Sequence, residues 1–251
     1  MSEELPRRVP GRAGIEWLTG AFKLFLKSPL MLGAATAIFL GVLLILHFIP
    51  YAGAGLAEII SPMILAGFMR AFRSIDEGND PELPQFAAGF RSHALPLAMV
   101  GAIYLGILLA IVWLMKLLGV DYQALMQAMQ EGATPEQLAM RLEGKAPLLL
   151  LGLALAIPAV AATWYAPALV LFGNANPLQA MGLSLKACAR NWLALLLNGV
   201  ALIPVFLLAL IPVIGMLVAV PIMLGTAYLG YQAMFAYKDS GARDQDSVIS
   251  E

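Results

Sequence analysis

Six stretches of this chain are each about as long and as apolar as a helix must be to cross a bilayer, and that feature decides most of what the chain can fold into. A helix rises about 1.5 Å per residue, so roughly 20 mostly apolar residues span the hydrocarbon. The stretches run from Leu30 to Phe48, Ala52 to Phe72, Leu95 to Leu117, Pro147 to Phe172, Trp192 to Leu210 and Val213 to Tyr237. Backbone groups in lipid must be satisfied locally, and lengths near 20 without period-two alternation favour helices over barrel strands. Composition agrees, with 61% of the 251 residues apolar and 12% charged, against roughly 45–50% and about 25% in soluble domains. The expected fold class is all-α: a polytopic membrane protein of six transmembrane helices arranged as three hairpins, each preceded by a cytoplasmic amphipathic interfacial helix.

Lys and Arg collect in cytoplasmic loops, so their positions set the orientation. Twelve of them lie before span 1, between spans 2 and 3, between spans 4 and 5, and after span 6. Only Lys116, Arg141 and Lys145 lie on the other side, which predicts two cytoplasmic termini. Met1 to Ser28 is too long and structured for the start of a signal peptide, so span 1 is expected to be retained. Residues 1–13 and 240–251 read as flexible cytoplasmic tails. The turns at Ile49-Pro50-Tyr51 and Ile211-Pro212 are short and uncharged and require tight hairpins. The longer extracytoplasmic loop, 118–146, reads as two amphipathic helices, one capped by Asp121 and one opened by the capping box Thr134-Pro135-Glu136-Gln137.

A local design recurs before spans 1, 3 and 5: an amphipathic segment, a basic residue, a small polar residue, then the span. The pairs are Lys27-Ser28, Arg91-Ser92 and Arg190-Asn191. In the first segment Leu18, Phe22, Phe25 and Leu26 share one predicted face, opposite Glu16, Thr19, Lys23 and Lys27. In the third, Leu178, Met181, Leu185 and Cys188 oppose Gln179, Lys186 and Arg190. The second, around Phe86 and Phe90, is weaker. The units join through Gly78-Asn79-Asp80-Pro81 and Gly173-Asn174-Ala175-Asn176-Pro177, where Asn/Asp-Pro marks a turn. Asp76 and Gly78 also match Asp239 and Gly241. Three copies of one element are expected, covering about 14–78, 84–173 and 177–241.

A formal charge of −1 excludes the basic field that nucleic acid requires. One cysteine, Cys188, and two histidines, His47 and His93, cannot close a Cys/His zinc site. No GxGxxG, Walker loop, HExxH or GxSxG is present, so neither a cofactor, a metal nor a catalytic set is expected. Lys27, Arg91 and Arg190 are candidate lipid-phosphate contacts, or else set the height of their helices by snorkelling. Glu58 is the only carboxylate within a predicted span and is by default a functional candidate, for a proton or a cation. Its alternative is a solvated place near the outer end. Asn198 and Thr163 are deep polar groups expected to bond between helices. Pro158, Pro204 and Pro221 are expected to interrupt spans 4, 5 and 6. Ala102, Gly106 and Ala110 form a small-residue ladder suited to close packing within the bundle or across an oligomer. Cys188 reads as packing.

Ala166-Pro167-Ala168, Asn176-Pro177, Ala180, Ser184, Lys186, Ala187 and Asn191-Trp192 together resemble the signature of uncharacterised six-span bacterial inner-membrane proteins, including the YciC-like group. The resemblance is strongest over about residues 147 to 237. It implies a bacterial inner-membrane location and, the family's role being unassigned, no catalytic or substrate-binding residue. The function expected is a non-enzymatic accessory or envelope component whose partners are membrane lipids or another membrane protein. The alternative is a small transporter with a cavity between the hairpins for a lipidic or weakly polar solute.

Overall fold

The computed structural model describes residues 6–49 and 52–236 and is built of helices without a strand among them. An amphipathic helix, α1 (Ala13–Lys27), leads into α2 (Pro29–His47) and α3 (Gly53–Asp76). Two short helices, α4 (Leu83–Phe86) and α5 (Ala88–Ser92), precede α6 (Ala94–Leu117). The loop pair α7 (Tyr122–Gln130) and α8 (Pro135–Leu142) leads to α9 (Ala146–Trp164) and α10 (Ala166–Gly173). The chain closes with α11 (Pro177–Arg190), α12 (Trp192–Ala201), α13 (Ile203–Ala209) and α14 (Ile214–Tyr231), the last running into a π-helical turn at Gln232–Ala236.

Five of these stretches are long and apolar enough to cross a membrane: α2, α3, α6, α9 with α10, and α14 with its π turn. The pair α12 and α13, bent by 43° at Leu202, makes a sixth if it is one span. Apolar side chains cover most of the outside of these helices, as with Leu30, Leu44, Leu109, Trp113, Leu150, Phe206 and Leu210. Such a surface is stable against hydrocarbon and not against water.

Prolines act differently from expectation at two of three positions. Pro158 and Pro221 lie inside the unbroken α9 and α14, as Pro62 does in α3. Neighbouring helices re-satisfy a backbone group freed by proline. Pro204 does mark the bend, near the start of α13. The break in the fourth apolar stretch falls instead at Tyr165, ahead of Pro167 in the first turn of α10, because proline suits a first turn and restricts the residue before it.

The core gathers at one end of the bundle. Phe68, Met69, Phe72 and Ile75 of α3 meet Tyr165 to Val170 around α10 and Tyr228, Tyr231 and Met234 of the last helix. Phe72 stacks on Tyr228 at 6.1 Å, and Phe172 packs on Tyr231 at 5.6 Å. The loop helices follow their cap signals: Asp121 accepts from Ala124 N–H at 3.1 Å, and Thr134 and Gln137 form the reciprocal box. The Pro50-Tyr51 turn, Tyr237, the Asp239 and Gly241 match and the tail at 240–251 lie outside the described residues.

Candidate functional site

The end of the bundle that holds the core also holds α1, α4, α5 and α11. Lys27 Nζ at the end of α1 donates to Ile75 O at 3.4 Å, and the His93 ring bonds Asn174 Oδ1 at 2.9 Å. These contacts bring the exits of α3 and α10 and the entries of α2 and α6 together.

Successive residues turn by about 100° around a helix, and on that wheel α1 divides into three sectors where two were expected. Ala13, Gly14, Trp17, Ala21, Leu24 and Phe25 are buried against protein. Ile15, Phe22 and Leu26 form an apolar sector that stays exposed, at 48%, 47% and 58%. Glu16, Thr19, Lys23 and Lys27 form the polar sector. The predicted apolar face is thus split: Phe25 packs inward while Phe22 and Leu26 face out. α11 repeats the division, with Ala180, Met181, Ser184, Ala187 and Cys188 buried, Leu178 and Leu185 exposed, and Lys186 and Arg190 on the polar side. In both helices the order around the wheel is buried, apolar-exposed, polar, in the same rotational sense. The segment between them is shorter and broken: Phe86 packs edge-on against Phe68 at 5.2 Å, while Phe90 is exposed.

Each segment meets the next helix through one residue of similar backbone conformation. Ser28 has φ −145° and ψ 59°, His93 φ −136° and ψ 31°, and Asn191 φ −118° and ψ 28°. In the middle joint the hinge residue is therefore His93, one position later than the Arg91-Ser92 pairing predicts. The preceding turns shift likewise. Gly78 (φ 85°) and Asn174 (φ 49°) are the left-handed residues, so Gly78 corresponds to Asn174 rather than to Gly173, each three positions before a proline.

At the third joint Asn191 is 3% exposed and reads residues 6–10, an N-terminal strand of chain that pairs in no sheet, as a short piece of backbone would. Its Oδ1 accepts from Val9 N–H at 2.8 Å, and its Nδ2 donates to Arg7 O at 3.0 Å. Arg7 N–H donates to Met234 O at 3.0 Å. The described part of the expected flexible tail 1–13 is thus tied to the far end of the chain. Local sequence gives no sign of this, because the partners are 182 and 184 positions apart.

The candidate polar groups within the apolar helices are not brought together. Glu58 lies in α3 beside the crossing with α6, where a Cβ on Gly101 would fall 2.5 Å from Glu58 O. It is half-buried and in helix, not in a Gly-rich turn. Asn198 is buried and donates to Thr226 Oγ1 at 3.4 Å, an interhelical bond as expected, while its Oδ1 has no partner among the described residues. Thr163 departs from expectation and returns its hydroxyl to Ala159 O and Val160 O of its own helix, a usual resolution for Thr inside a helix. Arg91 and Arg190 are exposed at the ends of α5 and α11. Ala102, Gly106 and Ala110 are exposed as well, with nothing within 4 Å of a Cβ built on Gly106. Among the described residues no group of three or more His, Cys, Asp or Glu is placed to hold a metal ion. Burial pushes the Cys188 thiol up to about 12, against its hydrogen-bond neighbour Ser184, which lowers it.

Another polar feature is a cavity of about 550 Å³ at the end of α3, between it and α4, lined by Arg70, Ser74, Glu77, Asp80, Glu82 and Gln85 among others. Its residues come from the end of α3, from α4 and from the loop between them.

No family model matches this chain, and no solved structure does. It is 27% identical over 191 residues, 73% of its own length and 69% of the other's, to a probable inner membrane protein of Burkholderia thailandensis. With the apolar helices, that likeness supports an integral membrane protein.

Proposed function

We propose that the chain is a six-span protein of the bacterial inner membrane, built of three hairpins each led by a cytoplasmic amphipathic segment, with both termini in the cytoplasm. Its part is that of a non-enzymatic accessory or envelope component acting through lipid or protein contacts, akin to the YciC-like group. The name borne by the Burkholderia relative supports the location. The single observation that carries the role is the three-sector division of α1 and α11. A helix that only packed on protein would need one apolar face, and a solvated one would leave the other face polar. A second, exposed apolar sector beside a basic one fits a helix lying in the headgroup layer. Lys27, Arg91 and Arg190, at the last turns of α1, α5 and α11, then sit at phosphate height.

The test is the lipid that co-purifies from the membrane. Each basic group near an anionic surface contributes about 1 kcal/mol, about fivefold in affinity. Replacing Lys27, Arg91 and Arg190 with Gln should strip the enrichment in anionic lipid from the purified protein. Unchanged lipid composition in a folded triple variant would refute the role.

A transporter is the second reading, favoured by one observation: Asn198, with a buried oxygen that has no partner among the described residues, lies one turn before the 43° bend at Leu202. Broken helices with freed polar groups frame solute sites in transporters. Solute flux in proteoliposomes that survives Asn198→Ala and Glu58→Gln unchanged removes both residues from such a path.

A further inference from the structure

We propose that the cavity at the end of α3 receives the phosphoethanolamine headgroup of a phospholipid in the leaflet where α1 and α11 lie. This deepens the lipid-contact reading and rests on it. Arg70 stands about 25 Å along α3 from Gly53, at 1.5 Å per residue, so in a helix that enters a hydrocarbon core about 30 Å thick at Gly53 its backbone nears the far boundary and its long side chain reaches the headgroups.

The lining carries both of the charges that a zwitterion requires. Arg73 is occupied, by Glu77 at 2.9 Å and by the face of Phe172 at 5.2 Å. Arg70 is exposed and has no bonded partner among the described residues, which leaves its planar guanidinium for a phosphate. Asp80 and Glu82 line the same cavity without an ion-pair partner among the described residues. Beside them Gln85 donates to Ser74 Oγ at 3.3 Å. A primary ammonium in the cavity supplies donors to the two carboxylates, with its phosphate two carbons away on Arg70. A trimethylammonium has no N–H to give, and a headgroup bearing only negative charge meets Asp80 and Glu82 with repulsion. Leu83, 56% exposed next to Glu82, offers apolar surface for the glycerol end.

The experiment uses the full chain in detergent with dioleoyl phosphatidylethanolamine, its mono-, di- and trimethylated forms, phosphatidylglycerol, and soluble glycerophosphoethanolamine. Bound lipid is counted by native mass spectrometry. Retention should fall stepwise with each methyl group, by roughly tenfold in all, the worth of a charge-assisted hydrogen bond. The part of the retention that Arg70→Gln removes should be no larger for phosphatidylglycerol than for the trimethylated form. Arg70→Gln and Glu82→Gln should each lower phosphatidylethanolamine retention by roughly tenfold, with Glu82→Gln raising phosphatidylglycerol. Equal retention across the methyl series overturns the proposal, and so does an Arg70-dependent retention larger for phosphatidylglycerol than for phosphatidylethanolamine. Displacement by glycerophosphoethanolamine at the concentration of the lipid also overturns it, since the ligand would then be soluble. The methyl series uses the unaltered protein, so it decides even where a variant unfolds. Its failure with anionic enrichment still dependent on Arg91 and Arg190 removes the cavity alone; loss of that enrichment too removes the wider reading.

Discussion

Replacing Asn191 with Ala should free the N-terminal strand without breaking the joint in which Asn191 sits. Its φ of −118° and ψ of 28° suit any residue, so the backbone carries no demand for Asn. The side chain does the holding, through Val9 N–H at 2.8 Å and Arg7 O at 3.0 Å. Two such bonds contribute about 1 kcal/mol each, and a partner left half-buried adds up to about 1 kcal/mol, giving about 2–3 kcal/mol. The strand can swing into water, so the loss is local: opening should become about 30- to 150-fold more frequent. Trypsin, acting after Arg7, Arg8 and Arg12 on the detergent-solubilised protein, reads that opening as a cleavage rate. Asn191→Asp keeps the acceptor for Val9 but sets a carboxylate oxygen against Arg7 O and Ala187 O, so its rate should be no lower than that of Asn191→Ala. A rate for Asn191→Ala within about twofold of the unaltered protein, a difference of about 0.4 kcal/mol, would show that the amide does not hold the strand.

Gly14→Ala and Gly67→Ala should each destabilise the fold by about 1–3 kcal/mol in thermal unfolding, because the new Cβ would stand 1.9 Å from Ala194 O and from Phe86 O. Gly106→Ala meets nothing within 4 Å and should be neutral or stabilising by up to about 1 kcal/mol. Cys188, with its thiol raised to about 12 by burial, should resist maleimide at neutral pH in the folded protein and react once it is unfolded; rapid labelling of the folded chain would contradict the packing. Asp121 is held below its ordinary value of 3.8, first by the Ala124 N–H and then by Lys116. A carboxylate lowered on folding stabilises above its unfolded value, so α7 should keep its amide protection near neutral pH and lose it as pH falls through the lowered value; hydrogen exchange of Tyr122–Gln130 against pH checks the sign.

The apolar stretches were legible because length and hydropathy are local properties, and each predicted span lies within a few residues of a helix or helix pair. The joints were legible in kind but misplaced by one residue in the middle unit, since α4 and α5 are too short to show a helical period. The face of α1 was read as one apolar stripe because a helical wheel cannot separate protein from lipid: Phe25 and Phe22 look alike until a neighbour covers one of them. Pro167 entered only as part of the Ala166-Pro167-Ala168 signature and Pro158 was overweighted, because a proline's effect depends on where it falls in its helix: Pro167 opens α10 in its first turn, while Pro158 is carried inside α9. The cavity at Arg70 and Gln85 was not legible at all, because it needs the tertiary placement of α4 on α3.

The packing order explains why the N-terminal strand must be held. α4 and α5 pack on α3, and α11 packs on α9 and α10, so each short segment lies on the later helix of the hairpin before it. α1, the first described helix, packs on α14 and α12. In the proposed three-unit arrangement this is the same step taken once more, and it closes a circle in which the first segment completes the last unit. Such closure joins residues at opposite ends of the sequence, and the contacts of Arg7 and Val9 with Asn191 and Met234 sit at that junction. The spans follow the circle only in part. α3 packs on α6 and α14 on α2, but α9 and α10 share no packed interface with α12 and α13 among the described residues. The bend at Leu202 falls on that unmatched side, where Leu153, Ile157, Val200 and Phe206 are exposed. A ring shut at the level of the amphipathic helices and parted along one seam of its long helices has its stability concentrated at the end that holds α1 and α11, which is where the buried core lies.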